Sequence, residues 1–358
     1  MVARQIGASV WQVALLTSIP FYGHTLSLFW ASRQRHFASP LAYVTFATSI
    51  TRILFLGMAW VNGPAQFVGC AMLAQFLTPI HGPAYTEVMR QIYPGEIRGK
   101  AMGSVRMAGS VATMLAATAG GKLLDLIGFR MVFPVAAVAG VTASWIFGQI
   151  PYPQPTVPGT GVRPRPGTNW RDFWRILKKE PQLRRYELGV SLFGFGNLMM
   201  LPLVPILLVD RFGVSNFFVG QLAFATALTR LSSLYLWGHQ IDRQGGLKVA
   251  CELLILMTIV PICYAMAAGP APLFIAAIVT GCAMAGLELA VISSMIELAK
   301  GEDPAAVMAI HQTILGVRGV TAPLIGIWIL KLINIQGVFL LCAGLVLVGA
   351  LVVRRVPR

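Results

Sequence analysis

Gly95-Glu96-Ile97-Arg98-Gly99-Lys100-Ala101-Met102-Gly103 opens one long apolar run. At a shift of 206 residues, Gly301-Glu302-Asp303-Pro304-Ala305-Ala306-Val307-Met308-Ala309 opens another. The same register sets Met89 on Met295, and a shift of 207 sets Trp30-Ala31-Ser32-Arg33-Gln34-Arg35 beside Trp237-Gly238-His239-Gln240-Ile241-Asp242. Matches that agree in register over such a distance mark an internal duplication. They predict two related halves, inserted in the same orientation and joined by a long connection.

Composition says what the halves are made of. Of 358 residues, 56% are hydrophobic and only 11% charged, with a mean hydropathy of +0.71. A soluble globular domain carries about 25% charged residues. Too little charge is left to coat a water-facing surface, so the chain reads as an all-α integral membrane protein. The apolar runs are too long for strands and lack the alternation of a barrel. They predict spans at about 10–31, 39–61, 65–88, 99–121 and 130–150, then at 188–209, 216–237, 247–268, 271–297, 305–329 and 336–353. Eleven transmembrane helices result, five and then six.

Residues 151–186 separate the two sets. The first part, PYPQPTVPGTGVRPRP, is proline-rich and extended. The second, TNWRDFWRILKKEPQLRRY from Thr168, interleaves Trp170, Phe173, Trp174 and Ile176 with Arg171, Arg175, Lys178 and Lys179. That pattern predicts an amphipathic helix on an anionic membrane surface. Three units follow: a helical bundle at 1–150, a cytoplasmic linker at 151–186 and a second bundle at 187–358.

The net charge of +15 has a membrane explanation. Nineteen Lys and Arg fall in one set of alternate loops and five in the other, while Arg52, Arg106, Arg230 and Arg318 lie within spans. Basic residues collect in cytoplasmic loops, so the central linker and C-terminus are expected inside the cell, in the plasma membrane, and the N-terminus outside. Nucleic-acid binding is not expected, because no basic run alternates with aromatics in a soluble domain. Cys70, Cys251, Cys263, Cys282 and Cys342 all sit in apolar stretches without a C-x-x-C spacing, which predicts reduced core thiols.

Three segments carry a family resemblance. Gly238-His239-Gln240-Ile241-Asp242-Arg243-Gln244-Gly245-Gly246 is similar to the loop signature G-x-x-x-D-R-x-G-R/K. Pro94-Gly95-Glu96-Ile97-Arg98-Gly99-Lys100-Ala101-Met102-Gly103 is similar to P-x-x-x-R-G-x-A-x-G. Gly120-Gly121-Lys122-Leu123-Leu124-Asp125-Leu126-Ile127-Gly128-Phe129-Arg130 is similar to G-G-x-L-x-D-x-x-G-W-R. On these residues the chain resembles the major facilitator superfamily over essentially its whole length. The resemblance implies two pseudo-symmetric helical bundles. It aligns the first span with family helix two, since Trp30–Arg35 matches the loop after that helix, so the first of the family's twelve helices is expected to be lacking. Two departures stand out. Arg35 occupies the place of Asp242 in the first-half loop, and the antiporter motif of helix five would fall on Ala112, Ala116, Ala117, Gly120 and Gly121, where only the glycines match.

An ionisable residue deep in a span is costly enough to be a functional candidate. Arg106, Ser110 and Thr113 share one helical face, as do Thr226, Arg230 and Ser233, and as do His311 and Arg318. The resemblance implies that family helices five, eight and eleven flank the central cavity and that four, seven and ten line it. That adds Thr78, His81 and Tyr85 on four, Asn197 on seven and Glu288 on ten. Candidate solute-binding residues are therefore Arg106, Arg230, Arg318, Asn197, His81 and Tyr85. Three arginines against one deep carboxylate favour an anionic solute, since the guanidinium stays charged and grips carboxylates. Pairing of Arg318 with Glu288 is the competing structural role. Glu288 and His311 are the candidates for proton coupling. Asp242, expected to cap family helix five near Arg98, and Arg243, expected to reach Glu297, form a candidate latch.

No nucleophile elbow, phosphate loop or metal-spaced cluster is present, so neither an enzyme nor a bound cofactor or metal is expected. The expected function is secondary active transport of a small organic solute by alternating access, coupled to protons. The partners are that solute, the coupling ion and membrane lipid, and the expected state is a monomer. Drug or cation efflux is one alternative. A non-transporting membrane sensor or assembly protein is the other.

Overall fold

The computed structural model describes residues 1–25, 37, 39–92, 95–152, 170–299 and 304–356. The Trp30–Arg35 loop, the proline-rich part of the linker, Lys300 to Asp303 and Arg358, on all of which expectations were set, lie outside them. The chain is all α. A short α1 (Val2–Gln5) leads into α2 (Val10–Thr25), α3 (Pro40–Leu56) and α4 (Pro64–Leu77), followed by α5 (Gly82–Ile92), α6 (Gly95–Ile127) and α7 (Phe129–Gly148). After the linker come α8 (Trp170–Lys179), α9 (Pro181–Ile206), α10 (Asn216–Gln244), α11 (Gly246–Met257) and α12 (Ile259–Ala265). The last three are α13 (Pro270–Leu298), α14 (Pro304–Leu330) and α15 (Ile335–Arg354). Among the described residues nine helical stretches are long and apolar enough to cross a membrane, and two shorter apolar helices, Val10–Tyr22 and Pro64–Leu77, fall where the first and third expected spans begin.

Local chemistry sets the helix starts. Ser39, Ser215 and Asn334 each accept a hydrogen bond from the backbone N–H three residues on, satisfying a donor the helix leaves free. Pro40, Pro64, Pro181 and Pro270 stand at first helical positions, where proline loses no hydrogen bond. Interior prolines are tolerated in α2, α7 and α14, at Pro20, Pro134 and Pro323. Pro202 and Pro205 precede the π-helical turn Leu207–Arg211 at the end of α9.

Several elements differ from the sequence expectation, α6 and α10 among them, which run on to Ile127 and Gln244. α9 begins at Pro181 rather than near 188, because that proline starts a helix as readily as it ends one. The span expected at 65–88 is broken by a 3-10 turn at Thr78–His81. The span expected at 247–268 is interrupted at Thr258, where α11 gives way to α12.

α10 packs between α6 and α13, while α9 packs against α14 and α15. The first and second halves meet along two seams, α6 against α10 and α2 against α14. Glycines make both seams close. A Cβ on Gly121 would strike the carbonyl of Asn216, one on Gly220 the carbonyl of Ala117, and one on Gly319 the ring of Phe21. Such approaches between helices depend on small residues. The largest apolar core lies in the second half, around Leu183, Phe193, Leu203, Leu253, Leu287 and Phe339.

Candidate functional site

The Thr226–Arg230–Ser233 face of α10 turns toward α13. Thr226 Oγ1 donates to the carbonyls of Leu222 and Ala277, Ser233 Oγ to those of Thr229 and Cys282, and Trp237 Nε1 to that of Cys282 at 2.9 Å. The two hydroxyls are thus occupied in joining helices. Arg230, midway between them, also reaches α13, but through a charged and half-exposed side chain. Its Nη2 donates to both oxygens of Glu288 at 2.6 and 2.7 Å, with the two side chains 49% and 51% exposed. The ion pair is half open, with room for a competing ligand on either partner.

A second polar cluster lies between α9 and α14, toward the linker end. His311 Nδ1 stands 3.1 Å from Glu187 Oε1 and 3.4 Å from Oε2, both side chains almost wholly buried. Farther along α14, the buried Arg318 donates through Nη1 to the carbonyl of Val190 and lies over Gly194, where any side chain would collide with the guanidinium. The expectations need two corrections here. Glu288 pairs with Arg230, not Arg318, because α13 lies against α10 whereas Arg318 points to α9. The balance of three arginines against one carboxylate also changes, since Glu187 supplies a second deep carboxylate. Sequence reasoning missed Glu187 by starting the helix at residue 188. The signal was Pro181, which places Glu187 nearly two turns inside.

The other candidates are dispersed. His81 and Tyr85 come together edge-on, ring centroids 6.5 Å apart, with Tyr85 stacked near Phe147 of α7. Asn197 is half-buried on α9, one turn beyond Gly194. Arg106 and Arg98 fall on α6, but their side chains lie outside the described set, and with Arg98 the expected Asp242 contact. Asp242 and Arg243 are exposed at the end of α10. Glu297 takes other partners than Arg243, accepting from Gly246 N at 2.6 Å and from Ser293 Oγ at 3.0 Å. Gly245, at a φ of +80°, turns the chain so that the first N–H of α11 meets that carboxylate. Among the described residues no three His, Cys, Asp or Glu side chains gather as metal ligands would. None of the five cysteines is in a disulfide, and Cys251 and Cys342 are buried.

Two carboxylates join the halves at the end away from the linker. Asp125, near the end of α6, accepts from the backbone N–H groups of Asn216 and Phe217 at 2.9 and 2.8 Å, and from Asn216 Nδ2 at 2.8 Å. It caps the positive N-terminal end of α10 from across the seam. Asp210 accepts from Arg4 Nε at 2.8 Å and from Nη2 at 2.5 Å, while Arg4 Nη1 donates to the carbonyl of Ala8. The hydrogen bonds from Arg4 to Asp210 raise the affinity of that guanidinium for its proton. Nothing in the spacing of these residues announces either clasp.

The sequence model described as Major Facilitator Superfamily matches residues 1–228 and 187–358. The chain is similar in structure to a bacterial homolog to the human lysosomal transporter Spinster, solved inward-facing and unoccupied. Identity is 14% and the TM-score 0.62, over 99% of this chain and 89% of that one. A variant of the nucleoside transporter NupG gives 16% identity and a TM-score of 0.70, over 97% and 90%. No curated protein matched by sequence.

Proposed function

The chain belongs to the major facilitator superfamily, and on that premise we propose that it carries a small acidic organic solute across the plasma membrane by alternating access, coupled to protons. It is a multi-pass membrane protein of transporter fold and not an enzyme. One observation carries the finer reading, the half-exposed Arg230–Glu288 pair on facing helices of the second half.

A half-exposed pair is weakly held, since exposed ion pairs contribute about 1 kcal/mol or less. A solute carboxylate or phosphate can displace Glu288, because the guanidinium fork grips either group. Glu288, released from its cation, is then open to a proton in the solute's presence. Binding the anion and binding the proton are thereby linked at one place, and together they leave the pair's net charge unchanged. The charge bias of the loops supports a cytoplasmic linker and C-terminus.

The test is uptake into proteoliposomes from a panel of acidic, neutral and cationic solutes, with nucleosides among the neutral ones. Acidic solutes are expected to enter, and Arg230→Gln to abolish their entry while the protein remains monodisperse. Transport of cations, unaffected by Arg230→Gln, points to drug efflux instead.

A further inference from the structure

Glu187 and His311 take no part in the solute site, yet they are the most deeply buried titratable pair among the described residues. Their geometry is that of a hydrogen bond between an imidazole and a carboxylate. With Glu187 ionised, Nδ1 of His311 carries a hydrogen toward it at 3.1 Å, which leaves Nε2 free to gain or lose a second proton. The surroundings are polar and underused. Tyr186 Oη faces Ser294, and Arg318 Nε is buried without a hydrogen-bond partner among the described residues. Buried polar atoms are almost always paired, so the region around the pair keeps spare hydrogen-bonding capacity.

We propose that the Glu187–His311 pair is a second protonation site, separate from Glu288, and that its state sets how α14 sits on α9. When His311 Nε2 takes a proton, an imidazolium faces the Glu187 carboxylate. When it gives the proton back, a neutral imidazole remains, and Arg318, on which the Glu187 charge acts, is the cation left to balance it. Among the described residues, α9 adds Tyr186, α14 adds Arg318, and α13 brings Ser294 and then Glu297. Arg184 and Arg185 at the start of α9 are exposed, as are Arg175, Lys178 and Lys179 of α8.

α14 is the element through which such a change would spread. It touches α9 at the pair and at Arg318, and it touches the first half where Gly319 meets Phe21. A proton that tightens or loosens the α9 contact therefore biases the seam between halves.

The full-length protein in nanodiscs, with its histidines carbon-13 labelled, is titrated from pH 9 to pH 5. One histidine resonance should disappear in His311→Gln. In Glu187→Gln that resonance should remain with its midpoint at least one pH unit lower, a tenfold weaker proton affinity. Glu187→Asp, which keeps the charge but withdraws it, should shift it the same way by less, so the test stands even if the glutamine variant fails to fold. Hydrogen exchange of residues 305–318 should change across the same midpoint in the wild type and not in His311→Gln. An unmoved midpoint in the Glu187 variants, or exchange indifferent to His311, overturns the proposal. These measurements need no transported solute, so they succeed or fail independently of the transport reading.

Discussion

Gly194 and Arg318 show how one residue fixes the fate of another. Because Gly194 has no side chain, a full guanidinium fits against the helix backbone in the interior of the second half. Gly194→Val should force Arg318 off its bond to Val190 and crowd the α9–α14 contact, at a cost of about 1–3 kcal/mol. A fall of the thermal unfolding midpoint in detergent checks this. Gly69→Ala, on an exposed face of α4 with nothing near its Cβ position, should be neutral or slightly stabilising, since Ala is the better helix former. At this scale the sequence was most readable where charge stood against an apolar background. Arg230, Glu288, His311 and Arg318 stood out because ionisable residues in spans are rare. Their partners did not, since pairing depends on which helices are neighbours and on rotation within a fraction of a turn. Glu187 was lost to a boundary error of a few residues, the scale on which helix ends are hardest to read.

Helices were legible as elements because an apolar run of about 20 residues has few other uses in a chain this poor in charge. Their breaks were less so. The 3-10 turn at Thr78–His81 and the interruption at Thr258 sit inside continuous apolar sequence, where hydropathy gives no warning. The antiporter-motif positions show what the mismatch with the family pattern means physically. Ala117 and Gly121 lie in the α6–α10 seam, where small side chains of either kind let the backbones meet. The Asp125 clasp closes that seam at the end away from the linker. Asp125→Ala removes the acceptor for two backbone N–H groups of α10. Losing a helix cap of this kind costs about 1 kcal/mol, up to 2, so the equilibrium should shift toward opening at that end by roughly tenfold. Spin labels at the ends of α6 and α10 away from the linker should report a longer distance in the variant. An unchanged distance distribution would show that the glycine contacts alone hold the seam.

For the molecule as a whole, composition and the three family segments carried the fold, and the family match over the chain agrees with them. The repeat implied two like-oriented halves, and the seams α6–α10 and α2–α14 are where those halves meet. The distribution of Lys and Arg favours a cytoplasmic linker, which is a prediction. In a background with the native cysteines replaced, a cysteine introduced at residue 160 should be labelled in intact cells only by a membrane-permeant reagent. The solute was not legible, because the residues that distinguish an acid from a cation are few and one of them, Glu288, neutralises the nearest arginine. The most direct measurement is of proton movement itself. Proteoliposomes holding a pH-sensitive dye receive an acidic solute that the protein transports, with no imposed gradient. The lumen should acidify as the solute enters, and Glu288→Gln should remove the acidification while solute exchange continues. Solute entry with no proton movement in the wild-type protein would contradict the account.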